Sequence, residues 1–148
     1  LYCCQQDGMV GLGCGARSYT TTLHYSSDYA VGPRHVNQIL RAFVERPDSA
    51  STTASYGFRL DDEECRRRYV LLSLLFHEGL SLTAYQQTFG SDLFDDLPEL
   101  AELLPPSLAT CAEGHLRLTP TGIERSDTIG PWLFSSKVRG GMESFALQ

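Results

Sequence analysis

The sequence predicts an α+β fold, mostly helical, in which a short strand-and-loop segment precedes a larger helical domain. Three observations carry this. Gly8, Gly11, Gly13 and Gly15 crowd around the apolar run Met9, Val10 and Leu12. β-branched and aromatic residues then fill positions 19–25, the composition of a strand or extended loop. From residue 61 onward apolar residues return at helical spacing, with glycine and proline at the element ends.

The chain has 148 residues, enough to bury roughly 68–70% of its unfolded surface and build a real core. Its 42% hydrophobic and 20% charged residues are those of a globular protein. No run approaches the ~18 apolar residues of a membrane helix, so a membrane span is not expected. The opening lacks the basic, apolar, small-residue order of a signal peptide and starts at Leu1, which leads us to expect a piece of something longer. Five cysteines, Cys3, Cys4, Cys14, Cys65 and Cys111, are an odd number without a C-x-x-C pair. That argues against a disulfide framework or a zinc ribbon and for a reducing, cytoplasmic compartment. A formal net charge of -6 argues against a nucleic-acid partner.

In chain order, residues 9–12 read as a buried strand whose carboxyl end turns through the glycines. Alternate glycines there indicate φ values or close approaches that a Cβ would forbid, hence a ligand site built from backbone. The alternative is a glycine-rich strand that only packs tightly. Gly11-x-Gly13-x-x-Ala16 fits the letter of the dinucleotide fingerprint, but the fingerprint needs a helix next and β-rich residues follow. Pro33 suits the first position of a helix with Val36, Ile39, Leu40 and Phe43 on its apolar face, stopping before Pro47. Positions 48–55 read as an exposed loop or linker, and 56–60 as an extended lead.

A central core helix is expected over 63–78, capped by Asp61 and Asp62, with Tyr69, Leu72 and Phe76 on one face and Gly79 ending it. Arg66, Arg67 and Arg68 lie four residues after Asp62, Glu63 and Glu64, the spacing of ion pairs on one helix face. His77 near the helix end is favourable with the dipole. Ser81 caps a helix over 82–89 closed by Gly90, and another runs over 96–104 with Pro98 in its first turn. Residues 115–118 alternate as a half-buried strand, Thr119 and Pro120 open a last helix toward Trp132, and 135–148 reads as a loosely held tail. Three helices, a β segment and a further helix make a winged-helix-like arrangement. The four histidines show no metal or catalytic spacing, and the acid pairs Asp61/Asp62 and Asp95/Asp96 read as caps.

Gly11-Leu-Gly-Cys-Gly-Ala-Arg-Ser-Tyr19 is one of two segments that together carry a family resemblance. The second is Arg68-Tyr-Val-Leu-Leu-Ser-Leu-Leu-Phe-His-Glu-Gly79, then Tyr85, Phe89 and Gly90, then Leu116-Arg-Leu-Thr-Pro-Thr-Gly122. In their order and spacing they make residues 2–134 resemble the C-terminal part of radical S-adenosylmethionine enzymes similar to oxygen-independent coproporphyrinogen III oxidase, closer to an uncharacterised branch than to the oxidase.

The resemblance implies that residues 1–30 are the carboxyl-end segment of a partial (β/α) barrel, residues 33–134 a C-terminal winged-helix-like lid domain over the barrel mouth, and 135–148 a flexible tail. It implies S-adenosylmethionine contacts at Gln5, Gly11, Gly13, Gly15, Ala16 and Arg17. Many relatives have His where Arg17 stands. The family's [4Fe–4S] cluster sits on C-x-x-x-C-x-x-C, which no spacing here matches, so both cofactors belong to a parent that supplies the N-terminal radical-SAM barrel, and the fragment alone would be inert. The parent's substrate is a small molecule such as a tetrapyrrole precursor. A second reading is a non-catalytic, haem-chaperone-like module that binds a partner protein or tetrapyrrole.

Overall fold

The computed structural model describes residues 8–27, 33–54 and 56–146. Gln5, Cys3 and Cys4, singled out in the sequence, lie outside the described residues. The chain divides into two compact units, residues 1–65 and 66–148.

In the first unit, β1 (Arg17–Tyr19), β2 (Leu23–Ser26) and β3 (Tyr56–Arg59) form an antiparallel sheet in the order β1-β2-β3. Register is set at Tyr19↔His24 and at Ser26↔Tyr56. Thr20 tightens the β1–β2 turn, its hydroxyl accepting from the Leu23 N–H at 3.0 Å. The strand expected at 9–12 shrinks to a single bridge, Met9↔Tyr19. Val10 and Leu12 are 69% and 90% exposed, so this run is not buried. All pairing among the described strands is antiparallel.

Helix α1 (Pro33–Glu45) starts and stops where the two prolines predict. Its expected apolar face splits: Ile39 and Phe43 are half-buried, whereas Val36 and Leu40 are exposed. A 3-10 turn over Asp48–Thr52 stands in the expected loop. Helix α2 (Asp62–Leu74) begins under its predicted cap, the Asp61 carboxylate accepting from the Glu64 N–H at 3.0 Å. It ends four residues before the expected Glu78, and Phe76 is 51% exposed.

The second unit is organised on a core of Val70 and Leu74 from α2 with Leu80, Tyr85, Leu100 and Leu116. Leu72 is only half-buried, so the core face is rotated from the predicted Tyr69, Leu72, Phe76 stripe. A second antiparallel sheet runs β4 (Leu80–Ser81), β6 (His115–Leu118), β5 (Ala109–Ala112), with Leu80↔Leu116 and Cys111↔Leu116 in register. Glu113 (φ 52) and Gly114 (φ 73) join β5 to β6 in the left-handed geometry that hairpins favour. This is the wing that the half-buried strand announced, with two further strands the sequence did not single out.

Helix α3 (Leu82–Phe89) carries both predicted caps: the Ser81 hydroxyl accepts from the Ala84 N–H, and Gly90 is left-handed. The helix expected over 96–104 is two short pieces, α4 (Leu93–Asp96) and a 3-10 turn over Pro98–Leu103. Asp92 rather than a later acid caps α4. Thr119 opens α5 (Pro120–Glu124), and α6 (Ser126–Trp132) ends just after Pro131. Where a loose tail was expected, α7 (Ser136–Ala146) forms. Its start is capped by the Ser135 hydroxyl, and Arg139 donates to the Phe134 and Trp132 carbonyls at 2.9 and 3.1 Å.

Candidate ligand site and family relationship

The glycine loop lies in the first unit and closes on β1 and β2. Ser18 of β1 is buried, and its Oγ accepts from the Gly11 N–H at 3.0 Å. Ser27, just past β2, takes the Gly15 N–H at 3.1 Å, and the Ala16 N–H closes a turn on the Gly13 carbonyl at 3.3 Å. The loop is therefore pinned at both ends.

Glycine is required here for two different reasons. A Cβ on Gly11 would sit 2.4 Å from the Arg17 carbonyl oxygen, a backbone collision. Gly13 has φ +107 with nothing within 4 Å of a Cβ, so the constraint there is conformational and the space beside it is open. Tight packing explains Gly11. It does not explain Gly13.

Gly13 also lines a cavity of about 280 Å³, together with Gly11, Ala16, Ser18, Ser27, Arg46 and Thr53, with Val10, Leu12 and Tyr25 as apolar wall. A second concavity of about 600 Å³ shares Ser27, Arg46, Ala50 and Thr53 and is walled by Ile39 and Phe43 of α1. Of the predicted contacts, Gly11, Gly13 and Ala16 meet in the first cavity. Gly15 serves it indirectly through Ser27. Arg17 is exposed and lines a separate concavity on the sheet with Tyr19 and Tyr56. Sequence reading missed Ser18, Ser27, Arg46 and Thr53; only the hydroxyl density beside the glycines hinted at them.

A polar knot in the second unit was missed too. The Asp96 carboxylate accepts from the Ser91 and Tyr85 hydroxyls at 2.5 and 2.9 Å and from Arg66 Nε at 3.0 Å. The Ser91 bond is the largest influence lowering the Asp96 pKa; the Tyr85 bond and Arg66 add to it against partial burial. Burial, then the bond to Asp96, raises the Tyr85 pKa. Arg67 pairs with Glu99 at 2.8 Å and donates to the Leu133 carbonyl at 3.0 Å. Arg66 and Arg67 thus have partners 30 and 32 residues away, beyond the i,i+4 pairs expected from sequence. Asp96 is the centre of this knot and not a cap. Tyr85 is fully buried against Tyr69 and Phe89, which suits holding α2, α3 and α4 together rather than chemistry.

The Thr-Pro-Thr-Gly run at 119–122 has an equally local cause. Thr119 Oγ1 accepts from the Gly122 N–H at 3.1 Å and donates to the Ser107 carbonyl at 2.7 Å. A Cβ on Gly122 would lie 2.0 Å from the Leu108 carbonyl oxygen. Capped wing, locked turn and core helix all fall within one stretch of chain.

Residues 60–124 match the HemN C-terminal domain. The match supports the HemN, radical-SAM family and covers α2 through α5; the glycine loop lies outside it. No curated protein and no solved structure matches the chain. The α+β architecture, with small antiparallel sheets and several helices, is consistent with the HemN C-terminal domain fold. Among the described residues no helix is long and apolar enough to cross a membrane.

HemN relatives normally bind S-adenosylmethionine and a [4Fe–4S] cluster. The cluster does not fit the residues described here: Cys14, Cys65 and Cys111 form no disulfide, and no group of three or more His, Cys, Asp or Glu among the described residues could hold a metal ion.

Proposed function

We propose that this chain is the C-terminal portion of a radical S-adenosylmethionine oxidoreductase-like protein, similar to oxygen-independent coproporphyrinogen III oxidase. Its glycine loop forms part of the S-adenosylmethionine site, and the HemN C-terminal domain covers the mouth of the parent's barrel. The observation that carries this reading is the HemN C-terminal domain match at 60–124 in a chain whose preceding unit holds a glycine-lined cavity. When bound, S-adenosylmethionine and the parent's cluster supply the radical chemistry; this chain contributes shape and hydrogen bonding. Gly13 and Ala16 let a ligand approach the backbone, while Ser18 and Ser27 hold the loop in that shape. The parent's substrate would be a small molecule of the tetrapyrrole-precursor class.

Gly13→Val tests this directly. A branched side chain is strained at φ +107, in the backbone that lines the cavity. In the full-length parent, calorimetric titration with S-adenosylmethionine should show a loss of affinity of roughly a hundredfold. Unchanged affinity in a folded variant overturns the ligand assignment for the loop.

A further inference from the structure

We propose that helix α1 seats the first unit on an anionic lipid bilayer, lying in the interface rather than crossing it. The proposal rests on no reading of the glycine loop.

At about 100° per residue, Val36, Ile39, Leu40, Phe43 and Val44 fall in one arc of about 140°, a broad apolar stripe. The rest of the first unit takes only one side of it. Ile39 and Phe43 wall the larger concavity, whereas Val36, Leu40 and Val44 are 40%, 44% and 80% exposed. Those three stand four residues apart, so they form one ridge along the helix. A 13-residue helix is marginal in water by itself and gains stability by burying such a face. The exposed ridge therefore needs a cover.

Charge selects the cover. The chain carries a formal net charge of -6, but between residues 8 and 60 five arginines stand against three acids. Arg34, Arg41 and Arg46 belong to α1 or directly follow it, and Glu45 is the single acid in the helix sequence. Arg41 is exposed and sits about 60° round from Val44, where a long side chain can lie along the apolar boundary and reach a phosphate. An apolar ridge with a basic flank is the arrangement that holds a helix in the plane of an anionic interface. A second copy packed on the ridge about Leu40 would bring its own Arg41 beside the first, whereas anionic lipid neutralises it.

The test is co-sedimentation of the whole chain with vesicles of phosphatidylcholine alone and of phosphatidylcholine and phosphatidylglycerol in equal parts. Binding should be confined to the mixed vesicles and weaken as salt rises. Leu40→Gln should weaken it about tenfold or more, and Arg41→Gln about fivefold. Both positions are exposed, so both variants should keep the wild-type thermal melt. Leu75→Gln, at an exposed leucine of the second unit, should bind within about twofold of the wild type. Absence of binding to the mixed vesicles, equal binding to both kinds, or a loss in Leu75→Gln that matches the loss in Leu40→Gln overturns the proposal. A dimer in sedimentation equilibrium that Leu40→Gln dissociates, without vesicle binding, overturns it too and gives the ridge to a second copy.

Discussion

Gly122 and Gly140 separate two reasons for which a glycine can stand in a helix. Gly122 opens α5 where a Cβ would meet the Leu108 carbonyl at 2.0 Å, a backbone atom that cannot move without breaking the Thr119 N–H bond to the same oxygen. Gly140 lies inside exposed α7 with nothing near its Cβ position. Gly122→Ala should therefore destabilise the second unit by several kcal/mol, on the order of a severe overpacking change. Gly140→Ala should stabilise by about 0.4–1 kcal/mol through the unfolded state. Urea unfolding of the two variants gives opposite signs if the reasoning holds.

Asp96 sets a pH dependence at the same scale. Its folded-state pKa is lowered, first by the Ser91 hydroxyl, so the unfolded chain binds the proton more tightly. The contribution is complete above the unfolded carboxylate value of about 4 and is lost as pH falls through the lowered value. Tyr85 works from the other end: its raised pKa leaves stability complete below about 10 and erodes it as pH rises beyond. Asp96→Asn should flatten the acid limb of a stability–pH curve and Tyr85→Phe the alkaline limb. Limbs that keep their slope in both variants would show that the knot does not govern them.

At the scale of the element, α2 shows how a helix that turns apolar nearly all round from Val70 onward acquires a face. Val70 and Leu74, four residues apart, enter the core, while Leu75 is 66% exposed. Leu74→Ala should cost about 2–5 kcal/mol, as for an emptied core leucine. Leu75→Ala should stay within about 0.5 kcal/mol. Similar losses at both positions in thermal melts would mean that the face is assigned wrongly. The ends of elements were legible where caps are chemical: Asp61, Ser81, Gly90 and Thr119 act where their side chains or φ predicted. The faces were less so, because hydrophobic spacing over 69–76 fits several rotations and only the partners choose one.

At the scale of the whole molecule, the second unit carries its own closed core, with Leu80, Tyr85, Leu100 and Leu116 all 0% exposed. A fragment over 60–148, which keeps the Asp61 cap on α2, should melt in one cooperative transition. A broad, non-cooperative melt would place part of its core in the first unit.

The sequence by itself determined the α+β class, the helix caps at Asp61, Ser81, Gly90 and Thr119, and the wing strand at His115–Leu118. These follow from local chemistry, since a cap, a proline or a left-handed glycine acts on its immediate neighbours. Only the tertiary structure decided that Met9 keeps a single bridge, that Asp96 gathers Ser91, Tyr85 and Arg66, and that Arg46 comes to the cavity of Gly11 and Gly13. Those arrangements join residues far apart in the chain, where pairing depends on how surfaces are buried together and no periodicity along the sequence records it.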